Sequence, residues 1–147
     1  MNSSSVCIDA SLALAWLFFD EHSQEADNLL RDWAMDGVEL VAPPMFHAEV
    51  ASSLRKSVHF RRILPVEGER LFAVYSEMPI RVVEGPEVYR RAWQLSRDFN
   101  LPVCYDMQYV AVAELEDCEL WTLDRKLVST VHGKKKRVRW VGERSAN

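Results

Sequence analysis

Cysteine is scarce in this chain of 147 residues: Cys7, Cys104 and Cys118 are the only three. Their number is odd, no CxxC pair occurs, and no zinc-ligand spacing relates them. That argues against a disulfide framework or a cysteine-based zinc site, and for buried free thiols in a reducing compartment. Long hydrophobic runs are missing as well. The longest near the amino terminus, Ala10–Phe19, is short for a membrane span and contains Ser11. It follows Asp9 rather than a basic segment, which argues against a signal peptide. The expectation is a cytoplasmic protein with no membrane partner. Basic excess is also absent. Eighteen Lys and Arg stand against 22 Asp and Glu, a net charge of −4. A generic nucleic-acid coat would be basic, although an acidic metal site can coexist with a local basic patch. Finally, the chain has no Asn-Gly hairpin signal, no internal repeat and no low-complexity linker. Residues 1–147 read as one domain, with a frayed terminus over 1–5 and a polar tail over 142–147.

What is present is an alternation. With 48% hydrophobic and 27% charged residues, the chain can bury a substantial core. Val6-Cys7-Ile8 reads as a strand buried on both faces, and Ser11 to Phe19 as a helix apolar nearly all round. Asp20 and Ser23 offer caps for a second helix with the stripe Ala26, Leu29, Leu30 and Trp33, stopped by Gly37. Val38–Ala42 is the second strand. Pro43-Pro44 then starts a helix lined by Phe46, Val50 and Leu54. A helix over about Val66–Glu77 precedes strand Ile80–Val83. Pro86 opens another, with Val88, Ala92, Leu95 and Phe99 on one face, closed by Asn100 and Pro102. A helix over about Asp106–Glu116, a strand Glu119–Leu123 and a last strand Arg137–Val141 complete the series. The fold class this implies is α/β, three layers with a mainly parallel central sheet of about five strands.

In such a sheet, sites form at the carboxyl ends of the strands. Asp9 follows the first strand and Asp124 the fourth, while Glu49 sits about a turn inside the helix after the second. Asp106 starts the helix before the fourth strand. That helix climbs roughly 15 Å at ~1.5 Å per residue, and the strand returns about 16 Å, so Asp124 comes back beside Asp106. These acids, with no histidine or cysteine among them, suit a hard cation such as Mg²⁺, with Mn²⁺ as a substitute. Such an ion can activate water for attack on a phosphodiester.

Three segments carry a family resemblance: VCIDASLALAWLFFDE, PPMFHAEVASSLRK and LPVCYDMQYVAVAELEDCELWTLDRKL. Together, in this order and spacing, they resemble the PIN-domain ribonucleases, specifically the VapC-type toxins of toxin–antitoxin pairs. The resemblance implies a PIN-like fold and a Mg²⁺ site formed by the acids matching Asp9, Glu49, Asp106 and Asp124. It implies hydrogen-bonding support from Ser11 and Thr122, endonucleolytic cleavage of RNA, a cognate antitoxin that inhibits it, and a homodimer. One departure is Met107, where alanine commonly follows the aspartate.

Blander readings exist for each residue. Asp9, Asp106 and Asp124 could be helix caps, a role compatible with metal binding. A lone helix glutamate such as Glu49 is usually solvated. Ser11 could be an ordinary buried hydroxyl, and Thr122 a strand former. The run Lys134, Lys135, Lys136 and Arg137 could bind RNA phosphates or be a solvated loop, and the latter is favoured. Arg55, Lys56, Arg61 and Arg62 are alternative RNA contacts or anchors for an acidic antitoxin tail. The histidines at 22, 47, 59 and 132 are scattered and are assigned no chemistry. A receiver domain would need an acidic pair after strand one, and a haloacid-dehalogenase-type phosphatase a second aspartate; Asp9-Ala10-Ser11 has neither. The remaining alternative is a catalytically inactive PIN-like module that binds RNA or protein.

Overall fold

A computed structural model describes residues 4–146, and side chains up to residue 143. Strand β1 (Ser5–Ile8) leads to helices α1 (Ala10–Leu17) and α2 (Ser23–Met35). Then come β2 (Glu39–Ala42), α3 (Met45–His59), α4 (Pro65–Ser76) and β3 (Ile80–Val82). Helices α5 (Pro86–Asp98) and α6 (Tyr105–Leu115) precede β4 (Leu120–Thr122), α7 (Arg125–Thr130) and β5 (Val138–Trp140). A 3₁₀ turn, Val141–Ala146, ends the described chain.

The five strands form one sheet in the order β3-β2-β1-β4-β5, and every pairing is parallel. β1 is central, with Cys7 opposite both Val41 and Leu120, and all four of its residues are buried. That is why its sequence is apolar without alternation. The chain walks from β1 to β2 to β3, then crosses back to β4 and β5. Right-handed crossovers therefore put α1–α4 on one face and α5–α7 on the other. Packing agrees: α1 touches α2, α3 and α4, whereas α5 lies along α6. The reversal of direction falls between β1 and β4, and a crevice there is where an open parallel sheet places a ligand.

Local signals decide the element ends. Gly37, at φ 68°, closes α2, with Val38 N donating to Trp33 O at 2.8 Å. Asn100, at φ 53°, closes α5 in the same way, with Leu101 N donating to Ser96 O at 2.7 Å. Met107, where the sequence departs from alanine, is fully buried in the core.

Four expectations are corrected. Ser5 already belongs to β1 and Ser4 O accepts from Glu39 N, so the free terminus is shorter than 1–5; residues 1–3 lie outside the described residues. The segment 142–147 is not simply a polar tail. Gly142 is buried, the 3₁₀ turn packs on α2, and Glu143 accepts from Arg139 Nε at 2.6 Å; Asn147 lies outside the described residues. Ser23 is the first residue of α2 rather than its cap. Its hydroxyl donates to Ala15 O and Phe18 O and accepts from Asp20 N, sewing α1 to α2. Phe19, read as part of a buried helix, lies beyond α1 and is fully exposed.

Candidate metal centre

Asp9 is the N-cap of α1, placed by β1 at the carboxyl edge of the sheet, where Oδ1 accepts from Leu12 N at 3.3 Å. It is 6% exposed, so a carboxylate has been carried into the core. Two hydroxyls hold it. Ser11 Oγ donates to Oδ1 at 2.6 Å and Thr122 Oγ1 donates to Oδ2 at 2.5 Å. Each hydroxyl is itself held by the end of β4: Leu123 N donates to Ser11 Oγ and Asp124 N to Thr122 Oγ1. The two strands are thereby locked at the point where both acids emerge. Even so, burial dominates, and together with the charge of Asp124 it raises the Asp9 pKa to about 6.

Asp124 caps α7, accepting from Lys126 N and Leu127 N at 3.0 and 3.2 Å. Asp106 lies in the first turn of α6. Partial burial, and then the charge of Asp124, raises its pKa, while Lys126 pulls the other way. Glu49, on α3, accepts a hydrogen bond from Tyr109 OH at 2.6 Å on Oε1. Its pKa is raised by burial first, then by Asp106 and Asp124. Glu49 and Asp106 also share an open depression with Met45, Ala48, Ser52 and Tyr105. Asp124 thus lies within electrostatic reach of the other three acids, and Asp106 of Glu49, and none of the four forms an ion pair among the described residues.

A divalent cation fits this donor set by its chemistry: oxygen atoms only, and mutual repulsion that a positive charge would relieve. The acids do not form a finished cage. Among the described residues, no three carboxylate, imidazole or thiolate groups are already drawn round one point. Two reasons are visible: Asp9 and Asp124 spend an oxygen on backbone N–H groups, and Tyr109 holds one oxygen of Glu49. A divalent ion held here by few protein oxygens would keep waters of its own.

The basic run is elsewhere. It precedes β5, so it lies at the amino edge of the parallel sheet, opposite the acids. Arg137 donates to the carbonyls of Ala113 and Cys118 at 3.2 and 2.9 Å, and Lys135 Nζ is 3.0 Å from Glu114. Lys134 Nζ lies 5.9 Å from the Phe99 ring centroid, and Lys136 is exposed. The structure does not bring this run to the acids.

Residues not anticipated from sequence are Tyr109, Arg125 and Lys126. Burial pushes the Tyr109 phenol far up, so it stays a donor to Glu49. The only forward signal for the cations was their position directly after Asp124. All three cysteines are free, with Cys7 and Cys118 buried and Cys104 half-buried. No helix among the described residues is long and apolar enough to cross a membrane.

Known proteins resemble this chain in sequence and in fold. The chain is 27% identical over 125 residues to VapC ribonuclease Mb0985 of Mycobacterium bovis, covering 85% of this chain and 90% of that one. Its fold matches PAE2754 from Pyrobaculum aerophilum with TM-score 0.67 at 22% identity, over 97% of this chain and 87% of the other. It also matches a toxin–antitoxin complex from Klebsiella pneumoniae with TM-score 0.64 at 19% identity, over 90% and 94%. A family model described as PIN domain covers residues 6–132. That span holds all four acids, strands β2 to β4 and all of β1 but Ser5, and the chain belongs to the PIN domain family.

Proposed function

We propose that this chain is a Mg²⁺-dependent endoribonuclease of the VapC type, the toxin half of a toxin–antitoxin pair. One observation carries the reading. Asp124 lies within electrostatic reach of Asp9, Glu49 and Asp106, acids from separate segments of the chain, and none of the four has an ion-pair partner among the described residues. The names of the M. bovis relative and of the K. pneumoniae complex support the ribonuclease and toxin assignments.

Asp9, Asp106 and Asp124 hold the ion, with Glu49 completing the set from α3. Ser11 and Thr122 fix both oxygens of Asp9 and stop it from turning into the core. Glu49 keeps Oε2 free because Tyr109 occupies Oε1, and from there it orients the attacking water. When bound, Mg²⁺, or Mn²⁺ in its place, supplies positive charge at the scissile phosphate and lowers the pKa of nearby water.

The antitoxin docks on the helical face. A groove between α1, α2 and α4 supports this: Trp16, Phe18, Phe19, Ile63 and Leu71 give it an apolar part, beside Asp20, Glu21, Asp27, Glu67 and Arg70. The exposed Arg55, Lys56, Arg61 and Arg62 offer charge for an acidic tail. A homodimer acting in the cytoplasm completes the proposal. Purified protein incubated with total RNA and Mg²⁺ or Mn²⁺ should cut it, and EDTA or Asp106→Asn should stop the cutting. Cleavage that survives both treatments would overturn the metal site. Binding of RNA without cleavage under any metal would favour an inactive PIN-like module.

A further inference from the structure

The four acids pose a problem for any phosphodiester substrate, because they repel its backbone in a chain that is already −4 overall. Fixed cations beside the site must offset that repulsion, and the structure supplies them on two sides. On one side stands the first turn of α7. Lys126 is exposed, forms no ion pair among the described residues, and stands directly after Asp124, its backbone N donating to Asp124 Oδ1 at 3.0 Å. Arg125 is exposed too, its guanidinium 4.3 Å from the centroid of the Trp140 ring at the end of β5. A guanidinium held over an indole can still present N–H donors to phosphate oxygens.

On the other side, α3 runs outward from Glu49. Ser52 lines the depression shared by Glu49 and Asp106. Lys56 follows Glu49 by seven residues, two helical turns and so nearly the same face, about 10.5 Å further along at ~1.5 Å per residue. Lys56 is exposed and without an ion-pair partner among the described residues. The sheet order fixes the sequence of these groups in space. Arg125 and Lys126 follow β4 and the helix carrying Lys56 follows β2, on opposite sides of the central β1. Strand spacing of about 4.8 Å makes the walk from β5 to β2 about 14 Å, the scale of a few nucleotides.

We propose that single-stranded RNA crosses the carboxyl edge of the sheet, its phosphates gripped by Arg125 and Lys126 on one flank and by Lys56 on the other. The inference rests on the ribonuclease reading above. It also moves RNA contact away from the Lys134–Arg137 run, which points to the opposite edge. These contacts read phosphate rather than base, so they set affinity and register without selecting sequence.

The test is binding without cleavage. A fluorescent single-stranded RNA is titrated against the Asp106→Asn protein in Mg²⁺ at several salt concentrations. Further variants carry K56A, R125Q, K126A or K136A in the same background. Each phosphate contact released should lower the slope of log K against log salt by about 0.7. K56A, R125Q and K126A should each show that drop and bind several-fold more weakly at low salt, while K136A should match the parent. Thermal melts guard R125Q against loss of the Trp140 packing, and Lys126 is an exposed side chain. Unmoved slopes in K56A, R125Q and K126A, with wild-type protein still cutting RNA, would overturn the track alone. So would a drop confined to K136A. A parent that binds no RNA, together with a wild type that cuts none, would overturn the ribonuclease reading along with it.

Discussion

Tyr109 reaches Glu49 across 60 positions of sequence, its hydroxyl donating to Oε1 at 2.6 Å from a side chain only 2% exposed. The bond joins α6 to α3, and so ties the helix that presents Asp106 to the helix that presents Glu49. Tyr109→Phe keeps the ring in the core and removes only the donor. A hydrogen bond to a charged group contributes about 1.5–3 kcal/mol, so RNA cleavage should fall at least about tenfold. The Mg²⁺ concentration for half-maximal rate should rise, and the melting temperature by circular dichroism should fall by several degrees, at about 2–4 °C per kcal/mol for a domain of this size. A variant that cleaves normally at limiting Mg²⁺ would show that Tyr109 is merely packing.

Asp9 makes apo-protein stability depend on pH, because burial raises its pKa from 3.8 to about 6. Between those values the folded protein holds the proton more tightly than the unfolded chain. Stability from this group is therefore present at low pH, falls as pH rises from about 4 through 6, and is lost above that. The full loss is about 3 kcal/mol. Asp9→Asn carries no such charge, so urea unfolding in EDTA should show its advantage over wild type growing from pH 4.5 to 7.5. A gap that stays constant with pH would refute this. The same variant should cut no RNA, a trade of stability for function.

How much of this was legible in the chain beforehand depends on whether the information is local. Strands that end in Asp9 and Asp124, and the alternation that makes the sheet parallel, are written in neighbouring residues and were readable. Ser11 and Thr122 came only through resemblance, because their shared partner joins residues 9 and 122 across two strands. Tyr109 could not be read at all. It stands in an apolar stretch whose other members are plain core, and its partner lies on a different helix. The lysine run drew attention by its density. Its position just before a strand of a parallel sheet nevertheless places it at the amino edge, a deduction that needed only the strand's direction.

The hydroxyl pair under Asp9 should behave as one unit. Ser11→Ala removes the donor to Oδ1 and the acceptor for Leu123 N. Thr122→Val, nearly isosteric at a fully buried position, removes the donor to Oδ2 and the acceptor for Asp124 N. Each should cost about 1–3 kcal/mol, the penalty for an unsatisfied buried polar group. Both act on the same carboxylate, so the double variant should depart from additivity by more than about 0.5 kcal/mol. Chemical denaturation of the four proteins measures the cycle, and strict additivity would deny the shared role.

Arg137 separates stability from activity. Its guanidinium closes the end of α6 onto the start of β4 through the carbonyls of Ala113 and Cys118, and it lies 3.5 Å from Asp117. Asp117 itself sits at φ 49° in that turn, a conformation the arginine helps to hold. Arg137→Ala leaves those carbonyls short of a charged donor and should cost about 2 kcal/mol. Because this turn lies at the edge of the sheet opposite the acids, RNA cleavage measured well below the melting temperature should stay within about twofold of wild type. An activity loss larger than the loss of folded protein would mean that the basic run serves the substrate after all.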